Sequence, residues 1–280
     1  MEWDLYLKII DEMARIGFEH NFRPQMTYCY MGEPFLADDL DRYVRCALDH
    51  GIDVYLNTNA AAMTPPKIDA LLATGFTGRI HISVHGITPK VYQRIMGLDY
   101  EKSRANIDYL LDRYVPDRIC IRGVDDGWPN GEKQRWLTYW RQRHVQIEYL
   151  RPISRCGGVS RLLNRPLRDG ARTRLYGCQE HHPLVEMVIL FDGRAVMCCQ
   201  DMGRELIWGD VADRGILDVW NGPVRTAAIA RLYSGRPSGN GFLCARCEQA
   251  MGMGQMIQSS IQQGWRKLKS KAHHRSAATL

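Results

Sequence analysis

Between residues 25 and 150 the chain alternates between two hydrophobic periods. Runs that suit strands, at 25–30 (QMTYCY), 53–58 (DVYLNT), 79–85 (RIHISVH), 118–124 (RICIRGV) and 145–150 (VQIEYL), are separated by helical patterns at 36–51, 65–75, 99–114 and 131–144. A further amphipathic pattern leads in, with Trp3, Leu7, Ile10, Ala14 and Phe18 on one stripe. Strand and helix alternating with short connections dictate parallel strands joined by crossover helices, so the first 150 residues should form an α/β layer or barrel. In such sheets ligands bind beyond the carboxyl ends of the strands. The polar sets found there are Gly32-Glu33, Asn57-Thr58-Asn59, His85-Gly86 and Gly123 with Asp125-Asp126. They are far apart in sequence and should converge on one face.

After Arg151 the rhythm breaks. Residues 151–177 carry seven arginines (151, 155, 161, 165, 168, 172 and 174) against one acid, Asp169, with glycine and proline breakers, and read as a basic connector. A small α+β domain is expected over 178–256, opening with a hairpin around Asp192-Gly193 and continuing into a helix at 215–233. Residues 257–280 read as a basic tail. The net charge is only +6, and the two basic stretches suit a solvated linker and tail better than a nucleic-acid surface. No apolar run approaches the roughly 18 residues of a membrane span, and acids stand where a secretory signal would carry lysines. The cytoplasm is the expected location.

Nine cysteines are many for that compartment, where disulfides are disfavoured. Cys29, Cys46, Cys120 and Cys156 are scattered singly and read as small core residues. Cys178, Cys198, Cys199, Cys244 and Cys247 crowd into the second domain. Cys178 is followed by fourteen residues, Gly193, four residues and Cys198, and later by Cys244-Ala-Arg-Cys247. A hairpin would bring the first two thiols together at its base, and the C-x2-C turn adds two more. Four converging thiolates suit zinc or an iron-sulfur cluster; incidental cysteines and a redox dithiol at Cys244/Cys247 are the other readings. Strand alternation points Cys199 away from Cys198, which leaves open which of the two is the ligand.

The C-x14-G-x4-C and C-x2-C pattern resembles that of radical S-adenosylmethionine (AdoMet) enzymes with a C-terminal SPASM or twitch-type auxiliary domain. Met31-Gly32-Glu33-Pro34 is similar to that family's GGEP loop, Thr58-Asn59-Ala60 to its TNG, and Ser83-Val84-His85-Gly86 to its S-x-D-G. The resemblance implies a partial (β/α)6 radical SAM barrel missing its first strand, plus a small cysteine-rich α+β domain. It also implies that Gly32 and Glu33 hold the methionyl amine of AdoMet, and that Thr58, Asn59 and Ser83 face its ribose and carboxylate. Cys178, Cys198, Cys244 and Cys247 would ligate an auxiliary [4Fe-4S] cluster. The complete enzyme would modify a peptide or protein side chain, with a flavodoxin or ferredoxin as electron donor.

Four departures stand out. Met31 and Ala60 replace glycines, and His85 replaces an aspartate. The family's catalytic C-x3-C-x2-C run does not occur in the 280 residues. The expectation is therefore a chain that does not cleave AdoMet as given, either a shortened copy of a complete enzyme or a degenerate scaffold. The competing class is a non-enzymatic protein whose four cysteines hold zinc.

Overall fold

The computed structural model describes residues 1–159, 172–239 and 241–258. The chain divides into two compact units, Glu2–Pro152 and a second that begins at Ile153. Residues 160–171 of the expected connector and 259–280 of the expected tail lie outside the described residues.

Five parallel strands in sequential order build the first unit: β1 (Gln25–Tyr28), β2 (Asp53–Thr58), β3 (Ile80–Ser83), β4 (Ile119–Val124) and β5 (Gln146–Leu150). Around them lie helices α1 (Trp3–Glu19), α2 (Leu40–Asp49), α3 (Pro65–Ala73), α4 (Pro89–Met96), α5 (Tyr100–Leu111) and α6 (Glu132–Arg141). This is the α/β parallel architecture expected, in the form of a partial barrel. Helix α4 was not expected. Its eight residues follow Thr88-Pro89 and stop at Gly97 with φ 67, too short a run for the 3.6-residue period to stand out.

One face of the sheet is apolar. Val54, Leu56, Ile80, Ile82, Ile119 and Ile121 meet Val44, Ile68, Leu71, Leu110, Trp136 and Trp140 of the helices in a single core. Period-two alternation and strand register place Asn57 beside His81, Ser83 beside Arg122, and Arg122 beside Glu148 on the opposite face, all of them partly open. That face is polar, as a ligand-holding interior requires. Helix α1 is tied down at its buried stripe, where Tyr6 Oη donates to the Tyr43 carbonyl at 2.6 Å and meets Tyr28 Oη at 2.5 Å.

The second unit holds an antiparallel sheet of β6 (Val188–Ile189), β7 (Arg194–Val196) and β8 (Ile207–Asp210), with helices α7 (His182–Val185), α8 (Ile216–Trp220) and α9 (Pro223–Tyr233). The hairpin turns at Gly193, whose φ is 93 and where a Cβ would fall 2.5 Å from Asp210 Oδ1. Both facts explain the glycine of C-x14-G-x4-C. Strand β8 was not expected, and the helix read over 215–233 is two helices. Asn221-Gly222 ends the first, and Pro223 starts the second at a position where its missing N–H costs nothing.

Candidate functional site

Each unit gathers one set of the residues singled out in the sequence. In the first, the loop after β1 and the loop after β2 are joined through Glu33. Its Oε1 accepts from Thr58 Oγ1 at 2.7 Å and from the Phe35 amide at 3.2 Å, and its Oε2 accepts from the Asn59 amide at 2.7 Å. Thr58 Oγ1 in turn accepts from the Ala60 amide at 2.9 Å. Glu33 therefore serves as a cap for the turn at Pro34–Leu36 and as the tie between strand ends. Ala60 keeps the backbone form that a glycine would take, with φ 63, although it is fully buried. The Asn106 side chain donates to its carbonyl at 2.8 Å and fixes that conformation.

Gly32 answers to nothing in the chain. A Cβ there would meet no atom within 4 Å, and its φ lies outside the left-handed range. A glycine that neither packing nor backbone form requires suits a ligand lying against the loop. Nearby on β2, Asn57 Oδ1 is buried without a hydrogen-bond partner. Ser83 ends β3 next to Arg122, whose Nε donates to Glu148 at 2.6 Å. A hydroxyl beside a guanidinium suits a carboxylate group. Arg122 and Glu148 were missed as site residues because they lie inside strand runs, where sequence shows polarity but not which face it takes; Asn57 was read only as part of the polar set that ends β2.

His85 does not reproduce an aspartate. Burial pushes its imidazole down to about 4, so the ring is neutral, and Nδ1 accepts from the Val124 amide at 3.2 Å. It links the ends of β3 and β4. Asp125 caps the Trp128 amide and accepts from Tyr149 Oη, so it is a turn residue. Gly123 is needed for packing, since a Cβ would lie 2.7 Å from the Trp136 ring. Glu132, fully buried, carries a role no pattern announced. It accepts from the amides of Ile87 and Thr88 at 2.6 and 2.9 Å and pairs with Arg135, holding the loop after β3 in place.

In the second unit, residues 176–179 run antiparallel to 249–251, with Tyr176 N to Met251 O and Gln179 N to Gln249 O both at 2.9 Å. This brings Cys178 to the Cys244-x2-Cys247 turn. The thiols of Cys178, Cys198, Cys244 and Cys247 are all buried and raise one another's proton affinity as anions. Cys156, read as a lone core residue, lies beside Cys247 and holds the Cys247 thiol below the usual thiol range, while its own is pushed up. Burial pushes Cys178, Cys198 and Cys244 up, so as thiolates they require a compensating cation. Amides of Glu180 and His182 approach Cys178, and those of Gln249 and Ala250 approach Cys247, as ligand sulfurs in iron-sulfur sites require.

A tetrahedral zinc with bonds of about 2.3 Å holds its sulfurs roughly 4 Å apart. Among the described residues no three of these sulfurs come within 4.8 Å of one another, whereas His182, Glu186 and Cys199 do. Cys198 turns toward Cys244 and Cys247, while Cys199 lies 3.8 Å from His182 Nε2.

The comparisons with known proteins match both units. The model of the radical SAM superfamily matches residues 2–124, and that of an iron-sulfur cluster-binding domain, SPASM, matches 178–248. The chain therefore carries a radical SAM domain over residues 2–124 and a SPASM domain over 178–248. The superfamily and the domain imply iron-sulfur clusters and AdoMet as cofactors. Among curated relatives, an AdoMet-dependent heme synthase of Methanosarcina barkeri is 30% identical over 112 residues, 39% of this chain and 30% of that one. The matched stretch is less than a third of the length of the curated relatives. Native anSMEcpe with bound AdoMet and Cp18Cys peptide shares the fold at TM-score 0.63 and 13% identity, over 98% of this chain and 91% of that one. SuiB of Streptococcus suis bound to precursor peptide SuiA does so at TM-score 0.60 and 14% identity, over 86% and 63%. No helix among the described residues is long and apolar enough to cross a membrane.

Proposed function

We propose that the strand ends of the first unit bind AdoMet, that Cys178, Cys198, Cys244 and Cys247 ligate an auxiliary [4Fe-4S] cluster, and that the whole protein modifies a peptide or protein side chain. The observation that carries this reading is the Glu33 knot beside an otherwise unexplained Gly32. A carboxylate and close backbone carbonyls suit an ammonium group, and here the carboxylate is locked in place by Thr58 and Asn59. Because the Thr58 hydroxyl already donates to Glu33 Oε1 and accepts from the Ala60 amide, Thr58 contributes by fixing Glu33. Asn59 and Ser83 offer polar groups for the ribose, and Arg122 beside Ser83 offers a cation for the methionyl carboxylate.

When bound and reduced, these cofactors supply hydrogen abstraction through a 5′-deoxyadenosyl radical. The share of this chain is orientation, water exclusion and a polar interior. Since its 280 residues contain no C-x3-C-x2-C run, cleavage is assigned to it only together with a three-cysteine segment. The peptide class of substrate is supported by the peptides bound in the anSMEcpe and SuiB structures. A flavodoxin or ferredoxin is the electron donor we assign, and the cytoplasm the compartment, where cysteines stay reduced.

The test is anaerobic reconstitution, iron and sulfide analysis, AdoMet binding by calorimetry, and a 5′-deoxyadenosine assay. The expected result is one cluster per chain, saturable AdoMet binding and no deoxyadenosine. A colourless protein with stoichiometric zinc on the four cysteines, or one indifferent to AdoMet, overturns the reading.

A further inference from the structure

We propose that His182, Glu186 and Cys199 form a second metal site, separate from the four-cysteine set, that takes one zinc-type divalent cation. The three ligand atoms come from two stretches that the second unit folds together. His182 opens α7, Glu186 follows its last residue, and Cys199 lies in the turn three residues beyond β7. An imidazole nitrogen, a carboxylate oxygen and the thiol sulfur all lie within 4.8 Å of one another. From the one nitrogen an ion would take, Nδ1, Oε1 is 2.8 Å and Sγ 4.0 Å away. A tetrahedral ion with bonds of about 2.0 to 2.3 Å holds such atoms roughly 3 to 4 Å apart.

Two further observations point to a cation. Glu186 Oε1 is buried and, despite its closeness to the ring, accepts no hydrogen bond, so one lone pair is aimed at the trio without a donor in line. The charges also match. On binding, the ion takes the place of the proton that Cys199 and Glu186 favour on the His182 ring; one thiolate and one carboxylate then neutralise the dication, and the imidazole adds a nitrogen of the kind zinc prefers.

The surroundings hold the trio in place. Arg225 is stacked 3.5 Å from the Trp220 ring and donates through Nη2 to the Pro183 carbonyl at 2.7 Å, which pins the helix carrying His182. Arg155 Nη2 donates to the Cys199 carbonyl at 3.1 Å, and Gln200 Nε2 approaches the Cys199 sulfur at 3.7 Å. Side-chain exposures of 19% for His182 and 38% for Glu186 leave a path for an ion. Three protein ligands leave a fourth position to water or to a donor group from a substrate, the arrangement of zinc sites that do chemistry rather than staple a fold.

The experiment uses the full chain with its iron-sulfur content restored, incubated with one equivalent of zinc, desalted, and assayed for zinc and iron together. The expected result is about one zinc per chain beside unchanged iron, with a zinc-edge absorption spectrum showing one sulfur among nitrogen and oxygen ligands. His182→Ala and the near-isosteric Cys199→Ser should each weaken zinc binding by roughly tenfold to a hundredfold or more, with iron content and circular dichroism unchanged. Zinc that fails to stay bound, that shows four sulfurs, or that ignores both substitutions overturns the proposal. Since AdoMet binding plays no part in this readout, its outcome is separate from that of the proposed function.

Discussion

At the scale of single residues, the site splits into groups that the sequence displays and groups that only folding assembles. Glu33 could be read because it sits in a short polar loop at a strand end, where a carboxylate has few structural reasons to be. The Cys198/Cys199 choice could not be settled by pattern, because it depends on a side-chain direction. Cys156 was invisible as a member of the thiol set, since nothing in its own neighbourhood separates a core cysteine from one that meets Cys247. Glu33 also supports a prediction. Substitution by alanine strips the Thr58 hydroxyl and the Asn59 amide of their acceptor, at a cost of about 2 kcal/mol in the first unit. Glu33→Gln keeps one oxygen acceptor but removes the charge. Thermal unfolding should therefore rank wild type, Gln, then Ala, while AdoMet binding should fall about tenfold or more in both variants, as loss of a charge-assisted contact requires. If the Gln variant bound AdoMet as well as wild type does, Glu33 would be a structural tie and nothing more.

At the scale of elements, all five strands of the first unit were legible because alternation and β-branched residues agree with parallel pairing in each. The elements that escaped, α4 and β8, are short and rest on contacts that are not local: Glu132 holds the amides that open α4, and β8 pairs with β7 across a loop closed by Asp201. Strand β4 yields a packing prediction. In Gly123→Ala the new methyl meets the Trp136 ring at 2.7 Å, and that ring cannot retreat because its Nε1 donates to the Val84 carbonyl at 2.9 Å. Overpacking of this kind costs about 1 to 3 kcal/mol, which denaturant unfolding would show as a lower midpoint at unchanged slope. Strand β3 yields a pH prediction. Burial lowers His81 and His85 to about 4, with Arg122 adding to the effect at His81. In the unfolded chain both titrate near 6.5. From about pH 6.5 down to about 4 the unfolded chain binds protons that these two folded-state rings refuse, so their contribution to stability should fall across that window as the pH drops and stay constant above it. His85→Asn retains an acceptor for the Val124 amide and should shallow the slope; an unchanged slope would assign the titration elsewhere.

At the scale of the whole molecule, the two units are organised by different physics. The first buries a continuous apolar core beneath its sheet and can be expected to hold together without any cofactor. The second has a three-stranded sheet and short helices, and its four candidate ligands come from segments that are distant in sequence, around 178, 198 and 244–247. Cross-links between such segments remove much of the freedom of the unfolded chain, so bonds to iron should contribute strongly to the stability of this unit. Without iron the thiols of Cys178, Cys198 and Cys244 stay protonated and buried, and each loses its bond to the metal. Scanning calorimetry of the reconstituted protein should thus show two transitions. Anaerobic chelation of iron should lower or abolish one and leave the other in place, and Cys244→Ser should act in the same direction as chelation. Limited proteolysis of the chelated protein should cut beyond Ile153 first, with Glu2–Pro152 surviving as a fragment. If chelation moved both transitions equally, or neither, the cluster could not be the element that holds the second unit together, and the fourfold convergence of thiols would need another cause.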